Sequence, residues 1–118
     1  MNKVLFYTIC FICFFNRSFA QLIANAGPDI TVCLNSSVSI GGTPSVTGGT
    51  PPYKYSWSPS TFLSSTSVAN PTLTAITSDI SYTLTVTDFD TTIVSDVINI
   101  NLDKIFTFNA GIDTGYCF

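Results

Sequence analysis

The stretch Ile80 to Asp88, ISYTLTVTD, alternates apolar and polar side chains at every second position. Because successive side chains of a β-strand point to opposite sides of a sheet, Tyr82, Leu84 and Val86 share one face of this segment and three threonines share the other. The alternation therefore predicts a half-buried strand with Tyr82, Leu84 and Val86 in the core. A strand of this kind needs a second layer of structure to cover its apolar face.

The composition also favours β structure. Charged residues make up 9% of the 118 residues, the seven acidic residues are all Asp, and there is no His. Serine and threonine supply most of the polar positions, a balance typical of strands and turns rather than of exposed helices. A hydrophobic fraction of 46% is sufficient for the packed core of one domain. We therefore expect an all-β fold.

Further strand signals, each bounded by turn residues, recur along the chain. They cover Ile30–Leu34, Val38–Ile40, Tyr53–Trp57, an edge strand at Pro71–Ile76, and Thr91–Asn101. In the last of these, Ile93, Val97 or Ile98, and Ile100 are the expected core positions. Their spacing requires a register shift, for example a bulge, around Ser95 and Asp96. Six to seven one-faced strands predict an antiparallel two-sheet β-sandwich.

Three large rings, Tyr53, Tyr55 and Trp57, lie on one face of the stretch PPYKYSWSPS. They would form either an exposed platform that stacks against a sugar or part of the core. Each ring buries roughly 150 to 250 Å², a large share of what a small domain can hide, so we favour the core. In the sandwich the strand that carries Trp57 is expected to be central. The predicted core is Trp57, Tyr55, Tyr82, Leu84, Val86 and Ile40.

The N-terminal 20 residues have the pattern of an export signal. Lys3 precedes an apolar run of about a dozen residues, Val4 to Phe15, and small residues at Ser18 and Ala20 suit a signal peptidase. The run is shorter than the roughly 20 residues of a membrane-spanning helix, so cleavage after Ala20 is preferred over retention as an anchor. We therefore predict a secreted or cell-surface protein with no membrane span in the mature chain.

Export would leave an acidic mature chain with Lys54 and Lys104 as its positive residues. Nucleic acid is thus not an expected partner, since binding it requires clustered Lys or Arg. Cys10 and Cys13 would leave with the signal, so their C-x-x-C spacing does not indicate a zinc or redox site.

An internal repeat is present. The segment NAGPDITVC, Asn25 to Cys33, recurs as NAGIDTGYC, Asn109 to Cys117, with five matching positions and an offset of 109 − 25 = 84 residues. Such a period is typical of tandem domains. It divides the chain into a signal peptide (1–20), one β-sandwich domain (21–103) and the truncated start of a second repeat (104–118). Neighbouring repeats of the same polypeptide are then the first expected partners.

The motifs NAGPD, TVC, TGGTPPYKYSWSP, ANPT and SYTLTVTD follow one another between Asn25 and Asn101. Together they resemble the PKD-like, immunoglobulin-like repeats of bacterial secreted and cell-surface proteins, including adhesins. The resemblance implies a small immunoglobulin-like sandwich that spaces or presents other domains of a long polypeptide. Two features differ from the family pattern. Ser58-Pro59-Ser60 replaces the Gly-Asp-Gly turn that often follows the Trp, and Cys33 lacks the second Cys that related repeats carry.

Candidate sites are few. Asp88 and Asp90 are weak candidates for calcium, which binds carboxylate and carbonyl oxygens, but Asp is also the expected residue at a strand end and hairpin turn. No cofactor is expected. A bond between Cys33 and Cys117 is not expected because they occupy matching places in successive repeats, and Cys33 is interpreted as a small buried hydrophobe.

Catalysis has little support, because a Ser or Thr nucleophile has no His or Glu as a base and no spacing suggests a cleft. The sequence therefore predicts that the protein is not an enzyme and acts as a non-catalytic extracellular repeat module, a structural spacer or presenting domain. A carbohydrate- or protein-binding adhesive module, using the loops Gly41–Pro52 and Phe62–Ser67, is the alternative. An accessory domain beside a hydrolase is a third hypothesis.

Overall fold

The computed structural model describes residues 20–103, and these form an all-β domain with no helix. Its eight strands are β1 (Ile23–Ala24), β2 (Ile30–Val32), β3 (Val38–Ser39), β4 (Val46–Thr47), β5 (Lys54–Ser58), β6 (Thr72–Leu73), β7 (Ile80–Thr87) and β8 (Ile93–Leu102). The predicted signal peptide, apart from Ala20, and the predicted start of a second repeat lie outside the described residues. Within residues 20–103 no helix of sufficient length and apolarity to cross a bilayer is found.

The main sheet contains four strands in the order β2-β8-β7-β5. β7 lies antiparallel to both of its neighbours, pairing Trp57 with Leu84 on one side and Ile100 with Ile80 on the other. β2 runs parallel to β8 and pairs with only its last three residues. The β7–β8 hairpin is thus the longest and most continuous part of the sheet.

The remaining strands form two short antiparallel pairs, β1–β4 and β3–β6. Leu22, Ile40 and Leu73 from these pairs and their flanking segments belong to the same buried cluster as the inward side chains of the main sheet. Two layers therefore enclose one core, and the domain is β-sandwich-like. The members contributed by β5, β7 and β8 are Trp57, Tyr82, Leu84, Val86, Ile98 and Ile100.

The structure corrects the predicted number and direction of the strands. Eight strands replace the expected six or seven, and the β2–β8 pair is parallel, so the main sheet is mixed rather than purely antiparallel. The additional strands, β1 and β4, contain two residues each. A two-residue strand has no alternation to detect, and β4 lies inside a connection that is rich in Gly and Pro.

The predicted register shift in β8 is wrong. β8 pairs with β7 without interruption from Ile93 to Ile100, so Asp96 takes an inward position opposite Leu84. Its carboxylate accepts a hydrogen bond of 2.8 Å from the backbone N–H of Ala26. The carboxylate is accommodated on the core side because it has this partner, and Ile93 and Val97 consequently face outward.

The expectation that β5 is central is also wrong, since β5 is an edge strand of the main sheet. Its outer edge is contacted by the loop that follows it, where the N–H of Trp57 donates to the carbonyl of Thr66 at 2.8 Å. Ser60 and Leu63 close a turn in the same loop. The loop therefore covers part of this edge of the sheet, as a fifth strand would.

Cys33 follows β2, is half-buried, and takes part in a disulfide bond. The interpretation of Cys33 as an unpaired hydrophobe is therefore wrong. Cys117 lies outside the described residues, so the prediction about a bond between Cys33 and Cys117 stays a prediction.

Candidate functional site

Trp57 is 2% exposed, so its ring lies inside the domain and is not available to stack on a ligand. Its indole Nε1 donates to the carbonyl of Val68 at 2.9 Å, which satisfies the one polar group of the side chain. Tyr55 lies opposite Val86 and is half-buried at the margin of the core. Tyr53 is also half-buried, and its hydroxyl donates to the carbonyl of Gly48 at 2.8 Å.

Tyr82, Leu84 and Val86 are each 0% exposed and Ile40 is 3% exposed. The hydroxyl of Tyr82 donates to the carbonyl of Thr61 at 2.5 Å, so this ring links β7 to the loop after β5. Burial raises the pKa of the Tyr82 hydroxyl, because the phenolate would lose its hydration.

Asp88 lies at the end of β7 and is 7% exposed. One carboxylate oxygen accepts the backbone N–H of Thr92 at 2.9 Å and the other accepts the backbone N–H of Thr50 at 3.1 Å. The backbone N–H of Asp88 also donates to the carbonyl of Thr92, and its carbonyl accepts the N–H of Thr91, both at 3.1 Å. The side chain thus closes the β7–β8 turn and attaches it to the loop before β5.

Asp90, at the exposed tip of the same turn, accepts the hydroxyl of Thr50 at 2.6 Å. The structure therefore brings the two candidate calcium ligands, Asp88 and Asp90, together, because both accept hydrogen bonds from Thr50. The carboxylate oxygens of Asp88 are both engaged by backbone N–H groups, and among residues 20–103 no group of three or more potential metal ligands is found. Asp29 and Asp79 lie elsewhere in the domain: Asp29 contacts Asn99, and Asp79 accepts the N–H of Leu102.

A shallow cavity of about 220 Å³ borders this turn. It is lined by Ala20, Gln21, Leu22, Gly49, Thr50, Asp88, Asp90 and Thr92. The cavity therefore lies between the first residues of the domain, Ala20 to Leu22, and the β7–β8 turn.

Gly48 and Gly49 hold the beginning of the domain in place, a role that the sequence analysis did not identify. Gly49 donates its N–H to the carbonyl of Ala20 at 2.8 Å. At Gly48, where φ is +67°, an added Cβ would lie 1.9 Å from the carbonyl oxygen of Gln21. Only glycine fits here, because both the left-handed backbone and the close approach exclude a side chain. The Gly-Gly pair itself was the available sequence signal.

The two loops suggested for ligand binding are both fixed to the domain. In the first, the buried hydroxyl of Ser45 donates to the carbonyl of Gly42 at 2.9 Å, and the amide of Asn70 donates to the carbonyls of Ile40 and Gly42 at 3.2 Å. The second loop is held by the bond between Trp57 and Thr66. These hydrogen bonds therefore set the conformations of both loops and of any binding surface on them.

Asp29 and Asn99 form a further polar contact that the sequence analysis did not predict as a pair. The two Asp29 oxygens accept the backbone N–H of Asn99 at 2.8 Å and its side-chain amide at 3.0 Å. Both bonds lower the pKa of Asp29 below its usual value of 3.8, and the side-chain bond contributes more than the backbone bond. They fasten the segment before β2 to β8.

No protein-family model matches the sequence, and no curated protein is significantly similar to it. Among solved structures, the fold is similar to part of a nucleoside hydrolase-related hypothetical protein from Saccharophagus degradans that is associated with carbohydrate metabolism. The match has a TM-score of 0.50 and 21% sequence identity, and covers 62% of this chain and 21% of that chain. At this identity the similarity concerns the fold.

This similarity corrects one inference from the sequence. The lack of His, Glu and a recognisable cleft led to the conclusion that the protein is not an enzyme. A similar fold, however, occurs in about a fifth of a nucleoside hydrolase-related protein chain. The exclusion of an enzymatic polypeptide is therefore wrong.

Proposed function

We propose that this domain is an immunoglobulin-like repeat module of an exported polypeptide, in which it spaces or presents neighbouring domains. The supporting observation is that the first and last of the described residues, Ala20 and Asp103, lie at opposite ends of the β7–β8 hairpin. Ala20 lies beside Gly49 in the cavity that also borders Thr92, at the turn. Asp103 follows the last residue of β8, at the far end of the same strand, where its N–H donates to the carbonyl of Val32 at 2.7 Å.

The separation of the two ends follows from the length of β8. Ten residues from Ile93 to Leu102, at about 3.3 Å per residue, extend roughly 30 Å. Each copy of such a domain in a series would therefore add about that distance. This is the geometry of a head-to-tail spacer, and the repeated Asn-Ala-Gly motif at an offset of 84 residues is consistent with one.

Both ends are attached to the body of the domain, which would limit bending between copies. At the beginning, Gly48 closely approaches the carbonyl of Gln21. At the end, the N–H of Leu102 donates to the carboxylate of Asp79 at 2.6 Å. A connection that leaves from an ordered strand transmits orientation better than a flexible linker would.

The experiment compares proteins that contain one, two and three copies of the 84-residue unit by small-angle X-ray scattering. We expect the maximum dimension to increase by at least about 30 Å with each added copy. Replacing the residues between copies with a Gly/Ser linker of equal length is the control, and it should give a broader distribution of distances. Equal distributions for the two series, or a compact two-copy particle, would contradict the spacer function.

A second candidate function is that of an accessory domain within a longer hydrolase-related polypeptide. It is favoured by the solved structure of similar fold, of which this chain spans only 21%. The test is isolation of the native polypeptide with an antibody against residues 21–103, followed by mass determination and assays on nucleosides and glycosides. A native polypeptide with hydrolytic activity would support this function, and one made only of β-domains without activity would exclude it.

A further inference from the structure

Within residues 20–103, β8 is paired on one side only along its first half. β7 pairs with β8 on one side from Ile93 to Ile100, whereas β2 covers the other side only from Ile100 to Leu102. β1 contacts β8 but forms its ladder with β4. The segment from Ile93 to Val97 is therefore paired along one edge only.

The backbone N–H groups along this edge point away from β7. At Asn99 the N–H points away from β7 and donates to Asp29 at 2.8 Å. The backbone N–H groups of successive strand residues point in opposite directions, so those of Val97, Ser95 and Ile93 point the same way as that of Asn99. These N–H groups lie on the side of β8 that does not face β7, at positions that the pairing with β2 does not reach. A row of such groups can pair with another strand.

The side chains along this edge also suit a strand partner. Ile93 is 66% exposed and Val97 is 50% exposed, with the exposed Ser95 between them on the outer face. None of the three carries a charge. Natural sheets commonly place Lys or Pro on an open edge to prevent association, and neither occurs between Ile93 and Val97. The one charged residue of this segment, Asp96, points inward and its carboxylate is bonded to the N–H of Ala26.

We propose that this edge pairs with the same edge of a second copy of the chain, antiparallel and centred on Ser95. In this register Ser95 faces Ser95 of the second copy and Ile93 faces its Val97, so both apolar side chains gain an apolar neighbour. A two-fold axis relates the copies, and the two four-stranded sheets become one sheet of eight.

Electrostatics selects this register. Centring the pair on Asp96 would place two carboxylates directly opposite each other, which is destabilising. Centring it on Ser95 places Asp96 opposite Val94 of the second copy, and no like charges face each other. The five-residue edge buries less than the roughly 1,600 Å² of a standard interface, so we expect a weak dimer.

The first test is sedimentation equilibrium of the full chain from about 10 µM to about 1 mM. Ser95→Pro removes an outward N–H while leaving the β7 ladder intact, and Val97→Lys places a charge on the edge. Both variants should stay monomeric. Val68→Lys, at an exposed apolar residue outside β8, is the matched control and should dimerise like the wild type. A monomeric wild type at every concentration would overturn the proposal.

The second test determines the register of the strand pair by disulfide cross-linking, and it does not use variants that weaken association. Ser95→Cys places two cysteines about 5.5 Å apart between Cα atoms, within reach of a disulfide. Val97→Cys places them about 14 Å apart, beyond reach. Peptide mapping distinguishes the new bond from those of the native cysteines. We expect cross-linked dimer from Ser95→Cys alone, and equal or greater cross-linking of Val97→Cys would disprove the antiparallel register.

Discussion

The carboxylate of Asp96 accepts the backbone N–H of Ala26 at 2.8 Å, and this bond joins β8 to the segment between β1 and β2. Ala26 is 0% exposed, so its N–H has no access to water. Asp96 itself stands among the inward side chains of the sheet, opposite Leu84. The bond therefore explains how a charged residue occupies a position that the strand pattern assigns to an apolar one.

We expect Asp96→Ala to lower the free energy of unfolding by about 1 to 3 kcal/mol, because it leaves the N–H of Ala26 buried without an acceptor. Asp96→Asn retains an oxygen acceptor and should cost less. Urea denaturation at neutral pH measures both variants. Equal stability of Asp96→Ala and the wild type would show that the bond does not support the fold.

The two acidic residues of the β7–β8 turn should differ strongly on substitution. Asp88→Ala removes the acceptor of two backbone N–H groups, those of Thr50 and Thr92, and should cost about 1 to 3 kcal/mol. Asp90→Ala removes one exposed contact to a hydroxyl and should change stability by less than about 0.5 kcal/mol.

Urea denaturation of the two variants checks this difference, with and without calcium. Calcium that stabilises the wild type but neither variant would instead favour the metal-binding role suggested by the sequence. Equal losses in the two variants without calcium would contradict the structural role assigned to Asp88.

The sequence predicted the regular part of the fold better than its polar contacts. β7 was predictable because each inward residue from Tyr82 to Val86 is apolar and each outward one is Thr. β8 was not, because Asp96 interrupts its inward face and only the bond to Ala26, 70 residues away along the chain, makes that position acceptable. A long-range partner of this kind leaves no periodic signal.

The edge position of β5 could not be predicted for a related reason. Trp57 is buried, and in a sequence burial on one face suggests a central strand. Its protection comes partly from an irregular loop, through the carbonyls of Thr66 and Val68. The Asp88–Thr50 contact was equally hidden, because its acceptor and donor lie in two separate turns whose proximity depends on the whole fold.

Acid should weaken the contact between Asp29 and Asn99. The pKa of Asp29 is lower in the folded state than its usual value of 3.8, so the ionised form is the one that the fold favours. The resulting stabilisation is present above pH 3.8 and is lost as the pH falls through the lower folded-state pKa.

Asp29→Asn keeps an oxygen acceptor but has no charge, so this part of the acid dependence should be absent in the variant. Urea midpoints between about pH 6 and about pH 2 test the difference, with the two proteins converging at the acid end. A wild type and a variant whose midpoints fall in parallel over this range would show that Asp29 does not contribute.

Truncation of Trp57 should be among the most damaging changes in the domain. Its ring is 2% exposed and packs with the inward side chains of β7, so Trp57→Ala should cost about 3 to 5 kcal/mol, a large part of the roughly 5 to 15 kcal/mol typical of a domain. Trp57→Phe retains most of the apolar contact but loses the bond from Nε1 to Val68, and should cost less.

Tyr55→Ala, at the half-buried margin, is the matched control and should also cost less than Trp57→Ala. Thermal and urea unfolding measure all three variants, and a loss under about 1 kcal/mol for Trp57→Ala would be incompatible with a ring that is enclosed by the core.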